Sequence, residues 1–152
     1  MIHHYQNAII HNKQDKFTKM FEEDYPFMDE QMVTDLFLLA VRVGNYDITK
    51  YLIDKGCHPN VKDKQGLTAV QIACYRRQPE MMELLLTKGG DFEVTLKNGD
   101  TPLHTVCRLK FDELKDILIA HGANYDRWKN KEGLTAKDLY EREPEHPHKG
   151  YF

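Results

Sequence analysis

The sequence lacks any long hydrophobic run. No apolar stretch approaches the roughly 18 residues that a membrane-spanning helix needs, and the first residues lack the basic-then-apolar order of a signal peptide. We therefore expect a cytoplasmic protein with no membrane contact. A net charge of −3 also argues against a general nucleic-acid binder.

The sequence also lacks the motifs that carry catalysis or bind metals. It has no glycine-rich phosphate loop, paired metal motif or nucleophile elbow. His3, His4 and His11 have no carboxylate or cysteine at ligand spacing beside them, and we interpret them as a solvated cap. His146 and His148 make a weak metal motif, and we interpret them as part of a disordered tail. We expect no enzyme activity, no cofactor, no metal and no small-molecule substrate.

What the sequence does contain is a repeat. The stretch from Gly99 to Cys107 reads Gly-Asp-Thr-Pro-Leu-His-Thr-Val-Cys, and its glycine, threonine and cysteine recur thirty-three residues earlier. The glycine and threonine recur again thirty-four residues later. Two further sets of residues recur with a spacing of thirty-three. They are the leucines at 52, 85 and 118 and the glycines at 56, 89 and 122.

These landmarks resemble the ankyrin repeat, a unit of about 33 residues with a β-turn and two helices around a Thr-Pro-Leu-His signature. The resemblance runs from about Leu36 to Leu139. It implies an all-α ankyrin-repeat solenoid of about four to five helix-turn-helix units, with β-hairpin or turn fingers along one edge.

We expect residues 1–152 to form a single ankyrin-repeat domain. Residues 1–30 would be a degenerate first unit and an acidic loop, followed by repeats over 31–61, 62–96 and 97–130, a C-terminal cap over 131–143 and a tail over 144–152. In the first unit, apolar residues at helical spacing predict the inner sides of two short helices: Ala8, Ile9 and Ile10, then Phe17, Met20 and Phe21.

Local chemistry predicts where helices begin and end. Thr101 followed by Pro102 is a typical helix start, and Thr68 and Thr135 occupy the same place in their own units. The repeated glycines at 56, 89 and 122 would end helices in the left-handed conformation. In the first repeat, Asp35 to Leu38 replace the signature, which predicts a weakly capped start there. Pro79 should open the second helix of its unit.

The turn between the two helices of a unit is unusual. The family favours glycine there, and the first repeat has Gly44, but the next two repeats have Arg77 and Lys110. A left-handed conformation would cost each of these residues about 1 kcal/mol or more, so the turn either carries that cost or has a different conformation.

The segment from Glu22 to Glu30 has five acids and no base, and a proline breaks it. We expect a loop between units, because it is longer than the usual connection. Its apolar side chains either pack back on the repeats or are offered to a partner: Tyr25, Phe27 and Met28.

Three cysteines are an odd number without framework spacing. Cys74 and Cys107 occupy a position where the family usually has alanine, and packed helices stand too far apart for a disulfide. We expect both to be buried and Cys57 to be more exposed. The resemblance also gives His104 a structural role, which is to tie the turn of one unit to the backbone of the next.

The resemblance implies a non-catalytic protein-protein interaction module. We expect a monomer that binds and masks or inhibits a partner protein, as an immunity or antidote protein does. A bridging adaptor or a subunit of a larger complex is the alternative. The family's concave surface would lie at the following residues: Arg42, Lys62, Lys64, Gln65, Leu67, Tyr75, Arg76, Lys97, Asn98, Asp100, Arg108, Leu109 and Trp128.

Six of these thirteen residues are basic and only Asp100 is acidic. This local positive charge predicts a protein partner with an acidic patch, with nucleic acid a distant second. Trp128 is the candidate anchor, since tryptophan, tyrosine and arginine dominate binding energy at interfaces. Alternatively, its ring packs on the end of the repeats. The acidic segment remains a second candidate contact.

Overall fold

A computed structural model describes residues 2–142 of the chain, except for the side chain of Ile2. The predicted tail at 144–152, with His146 and His148, lies outside the described residues. The chain divides into two compact units between Phe92 and Glu93. Within the described range there are nine α-helices and one 3₁₀ turn, Tyr25–Phe27. The helices are α1 Ile2–Ile10, α2 Gln14–Asp24, α3 Glu30–Val43, α4 Tyr46–Asp54, α5 Ala69–Tyr75, α6 Pro79–Thr87, α7 Pro102–Arg108, α8 Asp112–Ala120 and α9 Ala136–Glu141.

The expected all-α architecture is confirmed. The first unit contains three helix-turn-helix pairs, α1 with α2, α3 with α4 and α5 with α6. The second unit contains the pair α7 with α8, followed by α9 alone. In residues 2–142 no strand forms, and a single isolated bridge pairs Lys62 with Thr68.

The first pair has an aromatic core. Phe17 and Phe21 of α2 are fully buried, and Tyr5 of α1 meets Phe17 edge-on with ring centroids 5.4 Å apart. The prediction that Ala8, Ile9 and Ile10 form the inner side of α1 is only partly correct. Ile9 is buried but Ile10 is 56% exposed, because neighbouring residues of a helix point in directions about 100° apart.

Helix α3 begins earlier than predicted. Its N-cap is Asp29, whose carboxylate accepts a hydrogen bond from the amide of Met32 at 2.8 Å. Asp35 to Leu38 therefore lie inside α3, and the expected weak start at Asp35 was wrong. The predicted acidic loop is also mostly helical. Helix α2 runs to Asp24, the 3₁₀ turn follows it, and only Met28 and Asp29 lie between helices.

The remaining helix starts follow the prediction. Thr68, Thr101 and Thr135 each cap a helix, and each forms a reciprocal capping box with the third helical residue. Pro79 opens α6, and the described part of the last repeat ends after one helix. Local side-chain chemistry thus determines these four starts.

The turn between paired helices is left-handed in every complete pair. Gly44 has a φ of 84°, and Arg77 and Lys110 have φ values of 50° and 61°, so these two turns keep the left-handed conformation. Asn12, at the equivalent place in the first pair, has a φ of 52°. Three of the four turns therefore use a residue with a side chain in a conformation that favours glycine.

The repeated leucines lie in the core, since Leu52, Leu85 and Leu118 are fully buried. Cys74 and Cys107 are also fully buried, as predicted, and all three cysteines are thiols. Burial raises the pKa of the Cys107 thiol to about 12 and raises the pKa of the Cys74 thiol as well. These two residues fill space in the core.

Candidate protein-binding surface

The hairpin turn of the first unit is organised by Asp63. Its Oδ1 accepts hydrogen bonds from the amides of Gln65 at 2.8 Å and Leu67 at 2.9 Å. Its Oδ2 accepts a hydrogen bond from Nη2 of Arg42 at 2.7 Å, which fixes the Arg42 side chain of α3 against the turn. Asp63 was missed as a site residue, although its place at the start of an Asp-Lys-Gln-Gly turn was visible in the sequence.

An open groove of about 570 Å³ lies between this turn and the helices α1 and α3. It brings together three of the predicted contact residues, Arg42, Lys64 and Gln65. Leu39 adds an apolar wall and Asp35 an acidic one. The groove is therefore a mixed polar and apolar surface in which basic side chains stand beside leucine.

The other predicted residues of the first unit lie on the same turn or at the end of α5. Lys62 and Arg76 are exposed, while Leu67 and Tyr75 are partly buried. Arg76 is the C-cap residue of α5, so its position is fixed by the helix end. These four residues keep surface that a partner could contact.

In the second unit, the hydrogen bonds around the equivalent turn are centred on Asp100. Asp100 is only 2% exposed, and its carboxylate accepts hydrogen bonds from Arg108 Nη2 at 3.0 Å and Asn130 Nδ2 at 2.7 Å. A buried, fully bonded side chain has no surface for a partner, so we leave Asp100 out of the candidate surface. The side chain of Arg108 is 19% exposed and is committed to the same pair.

Three further predicted residues of the second unit have accessible surface. Lys97 and Asn98 are exposed on the turn, and Leu109 is partly buried at the end of α7. Gly99 completes this turn with a φ of 83°, and an added Cβ would lie 2.9 Å from the amide nitrogen of Lys131. Both the backbone conformation and this close approach require glycine.

Trp128 is 51% exposed. Oδ1 of Asn124 accepts hydrogen bonds from the amides of Arg127 at 2.7 Å and Trp128 at 3.1 Å, which fixes the backbone that carries the ring. About half of the indole is thus available to solvent on an ordered loop.

Comparison with known proteins decides the family. A family model described as ankyrin repeats (3 copies) matches residues 36–129, which is more than half of the 152 residues. The chain belongs to the ankyrin-repeat family. The members of this family are protein-protein interaction modules and are generally non-catalytic.

A segment of this ankyrin-repeat chain is similar to part of a plant membrane protein. It is 34% identical over 63 residues to "Potassium channel AKT2/3" of Arabidopsis thaliana. The match covers 41% of this chain and 8% of the channel, so the two share a short segment. None of the helices within residues 2–142 is long and apolar enough to cross a membrane.

His104 of the ankyrin signature has the expected structural role. Its Nε2 donates to the carbonyl oxygen of Leu134 in the next turn at 3.0 Å, since a carbonyl can only accept. Its Nδ1 then accepts from the backbone amide of Thr101 at 3.2 Å and lies 2.8 Å from the Thr101 hydroxyl. Nε2 therefore joins consecutive turns, and Nδ1 completes the capping box at the start of α7.

The candidate surface of this ankyrin chain is basic at the residues that remain accessible. Lys62, Lys64, Arg76 and Lys97 are exposed, whereas Arg42 is neutralised by Asp63. Across the described part of the chain, no three His, Cys, Asp or Glu side chains are grouped so as to hold a metal ion.

Proposed function

We propose that this chain binds a protein partner that presents an acidic patch. The observation that carries the proposal is the set of exposed bases on the hairpin turn and at the end of α5 in the first unit, namely Lys62, Lys64 and Arg76. Charge complementarity steers such a partner to the surface, and the partly buried Leu67 and Tyr75 supply apolar contact area once it arrives. The accessible residues of the second unit, Lys97 and Trp128, form a separate set with the same chemistry.

We further propose that binding acts by covering the partner, as an inhibitor or immunity protein does. The contact residues project from short, capped helices and hydrogen-bonded turns, so the surface is rigid before binding. A preorganised surface loses little conformational entropy when it binds, which favours tight and lasting occupancy. Persistent occupancy is what masking a partner's active surface requires.

A bridging adaptor is the second candidate. It is favoured by Phe27, which is 85% exposed and lies apart in sequence from the exposed bases Lys62, Lys64 and Arg76. An adaptor needs two surfaces that differ in chemistry, and an exposed phenylalanine beside acidic residues differs from a surface of exposed bases. In this case, the partner's activity would persist in the complex.

The test begins with a partner isolated from the native source and its affinity for the purified chain. Arg76→Ala and Trp128→Ala should each cost about 2 kcal/mol or more in binding free energy without changing the melting temperature. Association should slow as salt rises, because the attraction is electrostatic.

Matched controls are available on the second helices. Lys50→Ala in α4 is the control for Arg76→Ala, and Ile119→Ala in α8 is the control for Trp128→Ala, since both are exposed there. Equal losses in variants and controls would disprove the basic surface. A partner that keeps full activity when saturated by the chain would disprove masking and leave the adaptor.

A further inference from the structure

The 3₁₀ turn between α2 and α3 presents aromatic surface to solvent. Pro26 lies in the first turn of this element, and Met28 is extended, so the chain bends sharply before α3 begins. Tyr25 packs on Phe21 with ring centroids 5.1 Å apart, but Phe27 is 85% exposed. A phenylalanine ring costs free energy when it is left in water, and covering it would recover that cost.

A groove of about 520 Å³ lies beside this turn. Its apolar lining includes Tyr25, Pro26 and Met28 at the turn, Val33 of α3, and Cys57 and Val61 after α4. A volume of this size can hold one or two large side chains. Phe27 does not line the groove, but its exposed side chain lies in the chain between the lining residues Pro26 and Met28.

The acidic and basic side chains that line this groove are Asp29, Glu30, Lys55 and His58. The positive charge of Lys55 is balanced by Glu22, because its Nζ lies 3.5 Å from Oε1 of Glu22. His58 uses Nδ1 to accept the amide of Asn60 at 3.1 Å. The carboxylates of Asp29 and Glu30 therefore determine the charge of the groove, and it is negative.

We propose that this groove binds a short basic segment of a partner protein, with one apolar side chain in the groove and lysine or arginine beside Asp29 and Glu30. Charge complementarity selects this occupant, because an acidic segment would meet like charge at the groove. The lining of this groove includes none of the exposed bases Lys62, Lys64 and Arg76, so this proposal can fail without the proposed function failing, and the reverse.

The probe is a phage library of random twelve-residue peptides selected on the purified full-length chain. Enriched peptides should carry leucine, isoleucine, methionine or phenylalanine flanked by lysine or arginine. The most enriched peptide is then synthesised with a fluorescent label and titrated by fluorescence polarisation. Phe27→Ser and Glu30→Gln should each weaken its binding by about fivefold or more.

Each variant has a matched control in the same unit. Ile10→Ser also removes an exposed apolar side chain, and Glu80→Gln also removes an exposed carboxylate from the first turn of a helix. Both controls should change the affinity by less than about twofold. Thermal melts verify that each variant is folded. If Phe27→Ser is unstable, Glu30→Gln alone tests the proposal.

Several results would overturn the proposal. These are enrichment of acidic peptides, no enrichment at all, or basic peptides whose binding survives both variants. A concentration-dependent dimer in analytical ultracentrifugation that Phe27→Ser dissociates would assign the groove to a second copy of the chain instead.

Discussion

At the scale of single residues, hydrogen-bond satisfaction decides which polar side chains stabilise the fold. Thr68 and Thr49 are both buried, but the Thr68 hydroxyl caps α5 whereas the Thr49 hydroxyl in α4 has no hydrogen-bond partner within residues 2–142. A buried hydroxyl without a partner costs about 1–3 kcal/mol.

Replacing each of these threonines by valine should therefore have opposite effects. We expect Thr49→Val to leave the free energy of unfolding unchanged or to raise it by about 1 kcal/mol. Thr68→Val should lower it by about 1–2 kcal/mol, because the cap is lost. Urea denaturation measures both, and a large loss in Thr49→Val would mean that its hydroxyl is bonded.

The cysteines differ in reactivity for a physical reason. Burial, with a smaller contribution from the Glu30 carboxylate, raises the pKa of the Cys57 thiol to about 11, and burial raises the pKa of Cys107 to about 12. Only the thiolate reacts with alkylating reagents, so all thiols should react slowly at pH 8 and faster as pH rises towards 11.

The order of alkylation follows from exposure. Cys57 is partly exposed and should be modified first, before Cys74 and Cys107, which are fully buried. Mass spectrometry of the native protein over a pH series gives both the order and the pH dependence. Faster modification of Cys107 than of Cys57 would contradict the packing.

At the scale of elements, Lys110 holds the end of α9. Its Nζ donates to the carbonyl oxygens of Leu139 at 3.1 Å and Arg142 at 2.7 Å, and also to that of Tyr140. An ammonium group at a helix C-terminus satisfies carbonyls that have no partner in the helix and complements the helix dipole. This cap explains why a left-handed turn keeps lysine rather than glycine.

Two substitutions of Lys110 separate the stability that its cap contributes from the cost of its left-handed backbone. Lys110→Met removes the cap and still places a residue with a side chain in the left-handed backbone conformation. It should therefore lower the free energy of unfolding by about 1–3 kcal/mol. Lys110→Gly also removes the cap but relieves about 1 kcal/mol of strain, so its loss should be smaller. Urea denaturation ranks the three proteins, and a glycine variant more stable than the wild type would exclude the cap.

The core of the second unit depends on α8. Leu118 is fully buried while its neighbour Ile119 is 38% exposed. We expect Leu118→Ala to lower the free energy of unfolding by about 2–5 kcal/mol, since it leaves a cavity, and Ile119→Ala to cost less than about 1 kcal/mol. Similar losses in the two variants would mean that the helix is rotated about its axis.

Contacts between residues close in sequence could be predicted from local patterns, whereas the contact of Asp100 with a distant residue could not. Thr68, Thr101 and Thr135 could be predicted as caps because their partners lie three residues away. The start of α3 was missed because the repeat spacing was followed past Asp29, which caps the helix by the same local chemistry. The burial of Asp100 depends on Asn130, thirty residues further on, and no local pattern indicates such a contact.

At the scale of the whole molecule, the net charge of −3 conceals local charges of both signs. In the first unit, Glu30 at the start of α3 lines the acidic groove, and Arg42 near its end lines the groove beside the Asp63 turn. Twelve residues of helix separate them, or about 18 Å. The Debye length is about 8 Å at 0.15 M salt and about 30 Å at 0.01 M, so salt controls whether the two grooves influence each other.

A labelled basic peptide bound at the acidic groove should therefore report the charge of Arg42 only at low salt. Arg42→Ala removes one positive charge and so leaves the Asp63 carboxylate without its 2.7 Å ion pair, a single change of local charge by −1 that attracts the basic peptide more strongly. At 0.01 M salt the affinity should rise by about twofold, and at 0.15 M it should not change measurably. Fluorescence polarisation at the two salt concentrations measures both values. An increase at 0.15 M as large as that at 0.01 M would mean that the peptide contacts the groove beside the Asp63 turn directly, and the two grooves could not then serve separate partners.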